Sequence, residues 1–384
     1  MPTPYAGLRV VELAGDPAGE QVGKLLADMG ADVTKVEPPQ GSPTRGIGPF
    51  VDDVEDPDGS LTFWYYNTGK RSVVRDHEQP LTDLLTEADV LISTLRPAEL
   101  QARSLDLTAL LEQHPRLIIV SVTPFGLTGP WADWHTSDLV GLAASGLLNS
   151  CGYDDHSIPP IRPGGDQAFH TAASFGHNGL LLALLDRQRT GKGQLVDVSM
   201  HEACAITVEL ANPYWFYPKV LVQRQTCRHA QPAMTQPALF KCADDRYVYF
   251  VLIVAEPKPW EVLVDWLDSY GLAVDLLDPE YSDIAHRQAN FGHVQDLVEC
   301  LFLMQNATDA YYEGQRRGLP MAILNAPEDV LEDPHLTARG FFVDVPDGER
   351  TVRYPGLPYR FSSFAPEPMR PAPRLGEHTA AVRG

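Results

Sequence analysis

The chain has 384 residues, 44% apolar and 21% charged, which suits two folded domains with ample cores. Its formal charge is −21 and no basic run offsets it, which excludes nucleic acid, whose phosphates demand a cationic stripe. The longest apolar runs, 179–185 and 248–255, fall far short of the ~20 residues that span a bilayer, so no membrane partner is expected; the first reads as a core helix segment and the second as a buried strand.

In chain order, residues 8–13 (LRVVEL) read as a buried strand and 14–19 (AGDPAG) as a turn. Residues 20–29 follow at helical spacing with Gly30 as a stop, and 32–37 (DVTKVE) form a second strand closed by Pro38 and Pro39. The βαβ pattern continues with a helix at 81–87, a strand at 89–93, a helix at 105–113 and a strand at 117–122, the signature of an open α/β fold with a parallel sheet. A polar stretch rich in proline and glycine, 152–165, precedes a long apolar helix from Gln167 to about Arg189, a turn, and a strand at 194–199. Beyond an aromatic stretch at 212–225 the texture changes: a hairpin at 241–254 and helices at 261–270, 294–304 and 308–317. The division expected is a large domain over 1–215, a small α+β domain over 225–325, and a proline-rich return to the large domain over 326–384. Five cysteines without a C-x-x-C pair or a signal peptide point to reduced thiols and a cytoplasmic setting.

The first βα turn invites a dinucleotide, with Glu37 placed where a ribose-binding acid would stand. Its glycines are Gly15, Gly19 and Gly23 rather than G-x-G-x-x-G, however, and Asp16 would face the phosphates. No nucleophile elbow, zinc-binding helix or Walker loop is present. Asp166 stands out, preceded by Gly164 and Gly165 and followed by the long apolar helix. It reads either as an N-cap accepting from the N–H of Ala168 or Phe169, or as a carboxylate nucleophile open to a bulky electrophile. Lys70, Arg71, Arg75, Arg96 and Arg103 are the cationic candidates for a phosphorylated ligand near strand ends.

Seven segments in order carry a resemblance along nearly the whole chain: LRVVELAGDPAGEQVGKLLADMGADVTKVEPPQGSPTR, NTGKRSVV, STLRPAEL, SVTPFGLTGPW, GGDQAFHTAASFGHNGLLLALLDRQRTGKGQLVDVSMHEA, GLPMAILNAPEDVLEDPHLTARGFF and PAPRLGEHT. Together they resemble the class III coenzyme A transferase family, the CaiB/BaiF group that includes formyl-CoA transferase. The resemblance implies a Rossmann-like large domain made from both chain ends, an inserted smaller α+β domain, and a homodimer interlocked like linked rings. It implies an acyl-CoA thioester and a carboxylic acid acceptor as substrates, no permanently bound cofactor and no metal. It places the family's nucleophilic aspartate on Asp166, which forms a mixed anhydride and then an aspartyl-CoA thioester. Coenzyme contacts fall on Ala18, Arg75, Thr94, Leu95, Arg96, Arg103, His135 and Ser137, and backbone N–H groups near Gly164 and Gly165 are candidate oxyanion donors.

Three departures accompany it. Gly15-Asp16-Pro17 and Pro38 stand where the family more often has polar or cationic residues, and the glycine loop expected before Thr235 is replaced by CRHAQPAMTQP, which argues against formyl or oxalyl substrates. Two other readings stay open. A 2-methylacyl-CoA racemase would need a histidine where this chain has Ser137, His135 lying two residues earlier; a CoA-binding dimer without turnover would tolerate the altered first loop. Tyr214, Trp215, Phe216 and Tyr217 read either as an acyl pocket or as ordinary packing.

Overall fold

The computed structural model describes residues 3–208, 211–233, 235, 238–252 and 256–382. Residues 253–255, the end of the apolar run at 248–255 and of the expected hairpin, lie outside the described residues, as do Met234, Gln236 and Pro237 of the segment before and at the TQP motif. The chain divides into two compact units, one built from Met1–Leu148, Arg162–Glu209 and Pro334–Gly384, the other from Asn149–Ile161 and Leu210–Asp333.

The first unit holds six parallel strands, β1 (Arg9–Leu13), β2 (Asp32–Glu37), β3 (Arg71–Val74), β4 (Val90–Ser93), β5 (Ile118–Thr123) and β6 (Leu195–Ser199), in the order β3-β2-β1-β4-β5-β6. Successive strand residues face opposite sides of the sheet. Val10, Ile92 and Val120 therefore enter the core beneath α1 (Pro17–Ala27) and the long helix 167–190, with Val22, Leu26 and Leu180. Val11, Leu91 and Ile119 enter the opposite core with Leu100 and Leu107. Each such side chain contributes about 1.5–3 kcal/mol by leaving water.

Helix α1 starts at Pro17, inside the expected turn, because proline suits the first helical position and Asp16 caps it, accepting from Ala18 N at 3.0 Å and Gly19 N at 3.2 Å. A Cβ on Gly19 would collide with Thr94 and Ala14, so glycine there lets α1 sit against the β4 loop. Strand β3 was too short to show a period. It forms a sheet edge and is covered by the C-terminal segment, where Val74 N donates to Thr379 Oγ1 at 2.9 Å and Ser72 N to His378 Nδ1 at 3.3 Å. That segment also contains an antiparallel hairpin, Phe342–Asp347 with Arg350–Pro355, for which the sequence reading gave no elements.

The second unit has a three-stranded antiparallel sheet of Leu239–Lys241, Tyr247–Phe250 and Met321–Ile323. Helices Pro257–Asp268, Phe291–Leu303 and Ala307–Arg316 accompany it, and its core joins Val248, Phe250, Trp266, Val298 and Phe302. The third strand, only MAI, gave no alternation to read.

Candidate active site

Strand order reverses between β1 and β4, and ligands of open α/β sheets bind outside the carboxyl ends of strands at such a point. A cleft of about 630 Å³ opens there, and it brings together Thr94, Leu95, Arg96, Arg103 and His135 with Gly15, Asp16 and Phe169. A second cavity of about 390 Å³ shares His77 and Arg103 with the first and contains Arg75. Ala18 is buried in the α1 core. Ser137 accepts from Val140 N at 3.3 Å as the N-cap of the helix Asp138–Ala144.

The cations differ in availability. Arg75 is paired with Asp83, and Arg96 with Glu99 at 3.0 Å. Arg71 is paired with Asp32 at 3.1 Å, on the protein's exterior, and Lys70 is buried in an ion network with Glu12. Arg103 is half-buried, burial lowers its pKa, and it forms no ion pair among the described residues. Asp16 occupies the N–H groups that a phosphate would take at a helix N-terminus. Burial pushes its carboxyl up to about 7. An anion in the cleft therefore meets Arg103 as its open cation.

Glu37 is neither a ribose acid nor an exposed one. It is fully buried, accepts from Arg45 Nε at 2.7 Å and Nη2 at 2.8 Å, and also from Ser72 Oγ at 2.6 Å. Against its own burial, the Arg45 donors, the nearby Lys35 charge and the Ser72 hydroxyl hold its pKa down at about 2. Beneath the first turn, Lys35 and Lys70 neutralise buried Glu12 and Glu20, and Lys35 Nζ holds the Ala14 carbonyl at 2.8 Å.

Around Asp166 the capping reading is overturned. Asp166 occupies the N-cap position of the helix Gln167–Thr190 but its side chain caps nothing. The cap comes from Asp138, whose Oδ1 accepts from Ala168 N at 2.7 Å. Asp138 is 4% exposed and its Oδ2 accepts from Arg162 Nε at 2.6 Å. The Asp166 carboxylate, with its side chain 34% exposed, is left with two long bonds, from Arg162 Nη2 to Oδ1 and from Tyr66 Oη to Oδ2, each 3.3 Å. Tyr66 Oη also lies 3.0 Å from His170 Nε2. Gly164 and Gly165 are exposed beside it, Gly165 at φ +76°. Phe169, one residue before His170 on the same helix, lines the cleft.

Sequence reasoning missed Tyr66, Arg162, His170 and the capping role of Asp138. Only His170 left a signal, since four residues from Asp166 is one turn on the same helix face. Replacing Asp138 with alanine removes the cap and Arg162's partner. The expected loss is about 1–2 kcal/mol of stability together with lower activity, read by urea unfolding and a CoA-exchange assay. Wild-type stability would contradict the cap.

Among the described residues no helix is long and apolar enough to cross a membrane, and no group of three or more His, Cys, Asp or Glu is arranged to hold a metal. The sequence matches CoA-transferase family III over residues 5–379. It is 34% identical to the succinyl-CoA:(R)-benzylsuccinate CoA-transferase subunit BbsE of Thauera aromatica, over 98% of this chain and 93% of that protein. It is 31% identical to the succinate–glutarate CoA-transferase of Agrobacterium fabrum, over 99% and 94%. The fold matches the crystal structure of a CAIB/BAIF family protein from Brucella suis with a TM-score of 0.86 at 29% identity, covering 100% and 99% of the two chains. With the parallel six-stranded sheet and its switch-point cleft, these matches show that the chain belongs to CoA-transferase family III.

Proposed function

We propose that the chain transfers coenzyme A from an acyl-CoA to a carboxylic acid through covalent intermediates on Asp166. The observation that carries this is the division of labour between two aspartates: Asp138 caps the helix, so the Asp166 carboxylate stands half-open with only long hydrogen bonds to give up. Asp166 attacks the thioester carbon and releases CoA thiolate, giving a mixed anhydride. The thiolate attacks the aspartyl carbon, the first acid leaves, and the incoming acid reverses the sequence. A thiol near the cysteine reference pKa of ~8.5 leaves without a strong general acid, and exchange of one thioester for another is nearly isoenergetic. The reaction therefore calls for no metal or permanently bound cofactor. The exposed Gly164 and Gly165 are positioned beside the nucleophile as backbone oxyanion donors.

The coenzyme lies along the cleft, against Thr94, Leu95, Arg96, Arg103 and His135, and runs on to the cavity of Arg75; Ala18 and Ser137 line neither cavity. Replacing Arg103 with glutamine is expected to raise the KM for acyl-CoA about tenfold, a single charged hydrogen bond being worth about 1.5–3 kcal/mol, with kcat nearly unchanged. An unchanged KM would remove Arg103 from the contact. Two relatives are named for succinyl-CoA or succinate, so a dicarboxylic acyl donor is the first to test.

The working form is an interlocked homodimer. Leu182 and Leu185 on the long helix and Trp215, Phe216 and Tyr217 are exposed on the single chain, which suits burial by a second copy. Among the described residues no cysteine is in a disulfide, which suits the cytoplasm. Racemisation would need a base opposite Asp166, and the Ser137 hydroxyl is committed to its cap. Incubation with succinyl-CoA followed by hydroxylamine should modify Asp166. Deuterium entering the α-carbon of a chiral 2-methylacyl-CoA, with no acceptor acid and no Asp166 adduct, would instead support a racemase.

A further inference from the structure

We propose that the Tyr66 hydroxyl is a catalytic hydrogen-bond donor to the oxyanion that forms on Asp166 Oδ2 whenever the aspartyl carbon is attacked, a role that rests on the covalent reading above. The two oxygens of Asp166 are held by different kinds of group. Oδ1 is met by Arg162, whose side chain is 43% exposed. Oδ2 is met by Tyr66, which is 4% exposed and packed in ring contact with Tyr65 and His170. A ligand reaches Oδ1 by displacing an exposed guanidinium that keeps its bond to Asp138. Oδ2 stays against a fixed phenol. Oδ1 is therefore the nucleophile and Oδ2 the oxygen that remains on the aspartyl carbon.

The proton inventory gives the direction of the chain of bonds. Tyr66 has one phenolic proton, and an ionised carboxylate only accepts. The contact between Tyr66 Oη and His170 Nε2 must then be a donation from His170 Nε2–H to Tyr66. Burial lowers the His170 pKa, which favours the neutral ring with its single proton on Nε2. Burial and the Asp166 charge raise the Tyr66 pKa, so the phenol keeps its proton and acts as a donor only.

In the first step Oδ1 bonds to the acyl carbon, charge collects on the substrate's own oxygen, and CoA thiolate leaves; Tyr66 has no part in it. In the second the thiolate sulfur bonds to Asp166 Cγ, and the Cγ=Oδ2 π pair moves onto Oδ2, where Tyr66 donates. The pair then returns, the Cγ–Oδ1 bond breaks, and the first acid departs carrying Oδ1. When the acceptor carboxylate attacks the aspartyl thioester, the same oxyanion forms again and thiolate departs. Apo geometry of 3.3 Å is long for such a bond, and catalytic hydrogen bonds tighten as charge develops.

The test is step-specific. Enzyme is mixed with succinyl-CoA in the absence of acceptor, quenched at intervals and weighed by intact-protein mass spectrometry. Wild type should pass quickly to the CoA adduct on Asp166. Tyr66→Phe should form the succinyl adduct at the wild-type rate and convert it to the CoA adduct ~10²-fold more slowly, the usual loss for one oxyanion donor, with an unchanged unfolding temperature. His170 is a positioning residue: His170→Leu should slow the same step severalfold and His170→Gln, which keeps an N–H donor, should restore it. These two variants serve if Tyr66→Phe does not fold. A CoA adduct that forms in Tyr66→Phe at the wild-type rate, or equal slowing of both steps, overturns the role of Tyr66 and leaves the covalent reading standing. A wild-type enzyme with no adduct on Asp166 overturns both.

Discussion

Replacing Asp166 with asparagine should abolish CoA exchange between acids, by a factor on the order of 10⁴–10⁶, while the protein remains folded. An amide of the same shape has no charge to attack with. The structural cost is small because the native carboxylate makes only two bonds of 3.3 Å on a partly solvated side chain, interactions worth under about 1 kcal/mol each. The cap of the helix stays with Asp138. The experiment measures exchange of labelled succinate into succinyl-CoA beside thermal unfolding. Full exchange in the variant would end the covalent reading; lost exchange together with an unfolded protein would show that Asp166 carries the structural load assigned here to Asp138.

That separation of roles shows where sequence reading stopped. A carboxylate before a long apolar helix has two explanations, and spacing cannot choose between them, because the competing cap comes from a residue 28 positions away in another helix. The parallel sheet was legible because buried strands such as IIVSVT and VLIS are mostly apolar, carry no charge and alternate with amphipathic helices. Two of the strands that escaped notice, RSVV and MAI, are too short for a period, and their pairing is imposed by long-range neighbours. The cationic candidates differ in availability for a related reason. Lysine and arginine look alike in sequence whether free or paired, and the partners of Lys70, Arg71 and Arg75 are carboxylates that only the folded sheet brings near. Glu37 was misread in the same way: a strand-end acid was visible, but the guanidinium that claims it sits in a short turn eight residues on.

Replacing Arg45 with methionine should cost about 3–5 kcal/mol of stability, the usual result of leaving one member of a buried ion pair alone. Arg45 is 2% exposed, grips both oxygens of Glu37, and donates from Nη1 to Asp58 at 2.7 Å and from Nη2 to the Pro373 carbonyl at 3.1 Å. Its plane lies 3.7 Å from the centre of the Phe63 ring, so methionine keeps much of the packing and removes the charge. The pH dependence follows from the same pair. The folded Glu37 pKa of about 2 lies below its ordinary 4.5, so the carboxylate binds fewer protons folded than unfolded. Its contribution, about 3 kcal/mol, is present above pH ~4.5 and is lost as pH falls through about 2. In the methionine variant Glu37 has lost its cation, its pKa should rise, and this acid-limb slope should weaken or reverse. The double variant Arg45→Met with Glu37→Gln should recover much of the loss, because an uncharged pair leaves no buried charge to strand. Urea unfolding at pH 7 and pH 4 separates the cases. Equal stability of the single variant and wild type at both would show that the other donors to Glu37, Ser72 Oγ at 2.6 Å and Ser42 N at 2.9 Å, satisfy it alone, and that the tie from Arg45 to the C-terminal segment adds no stability.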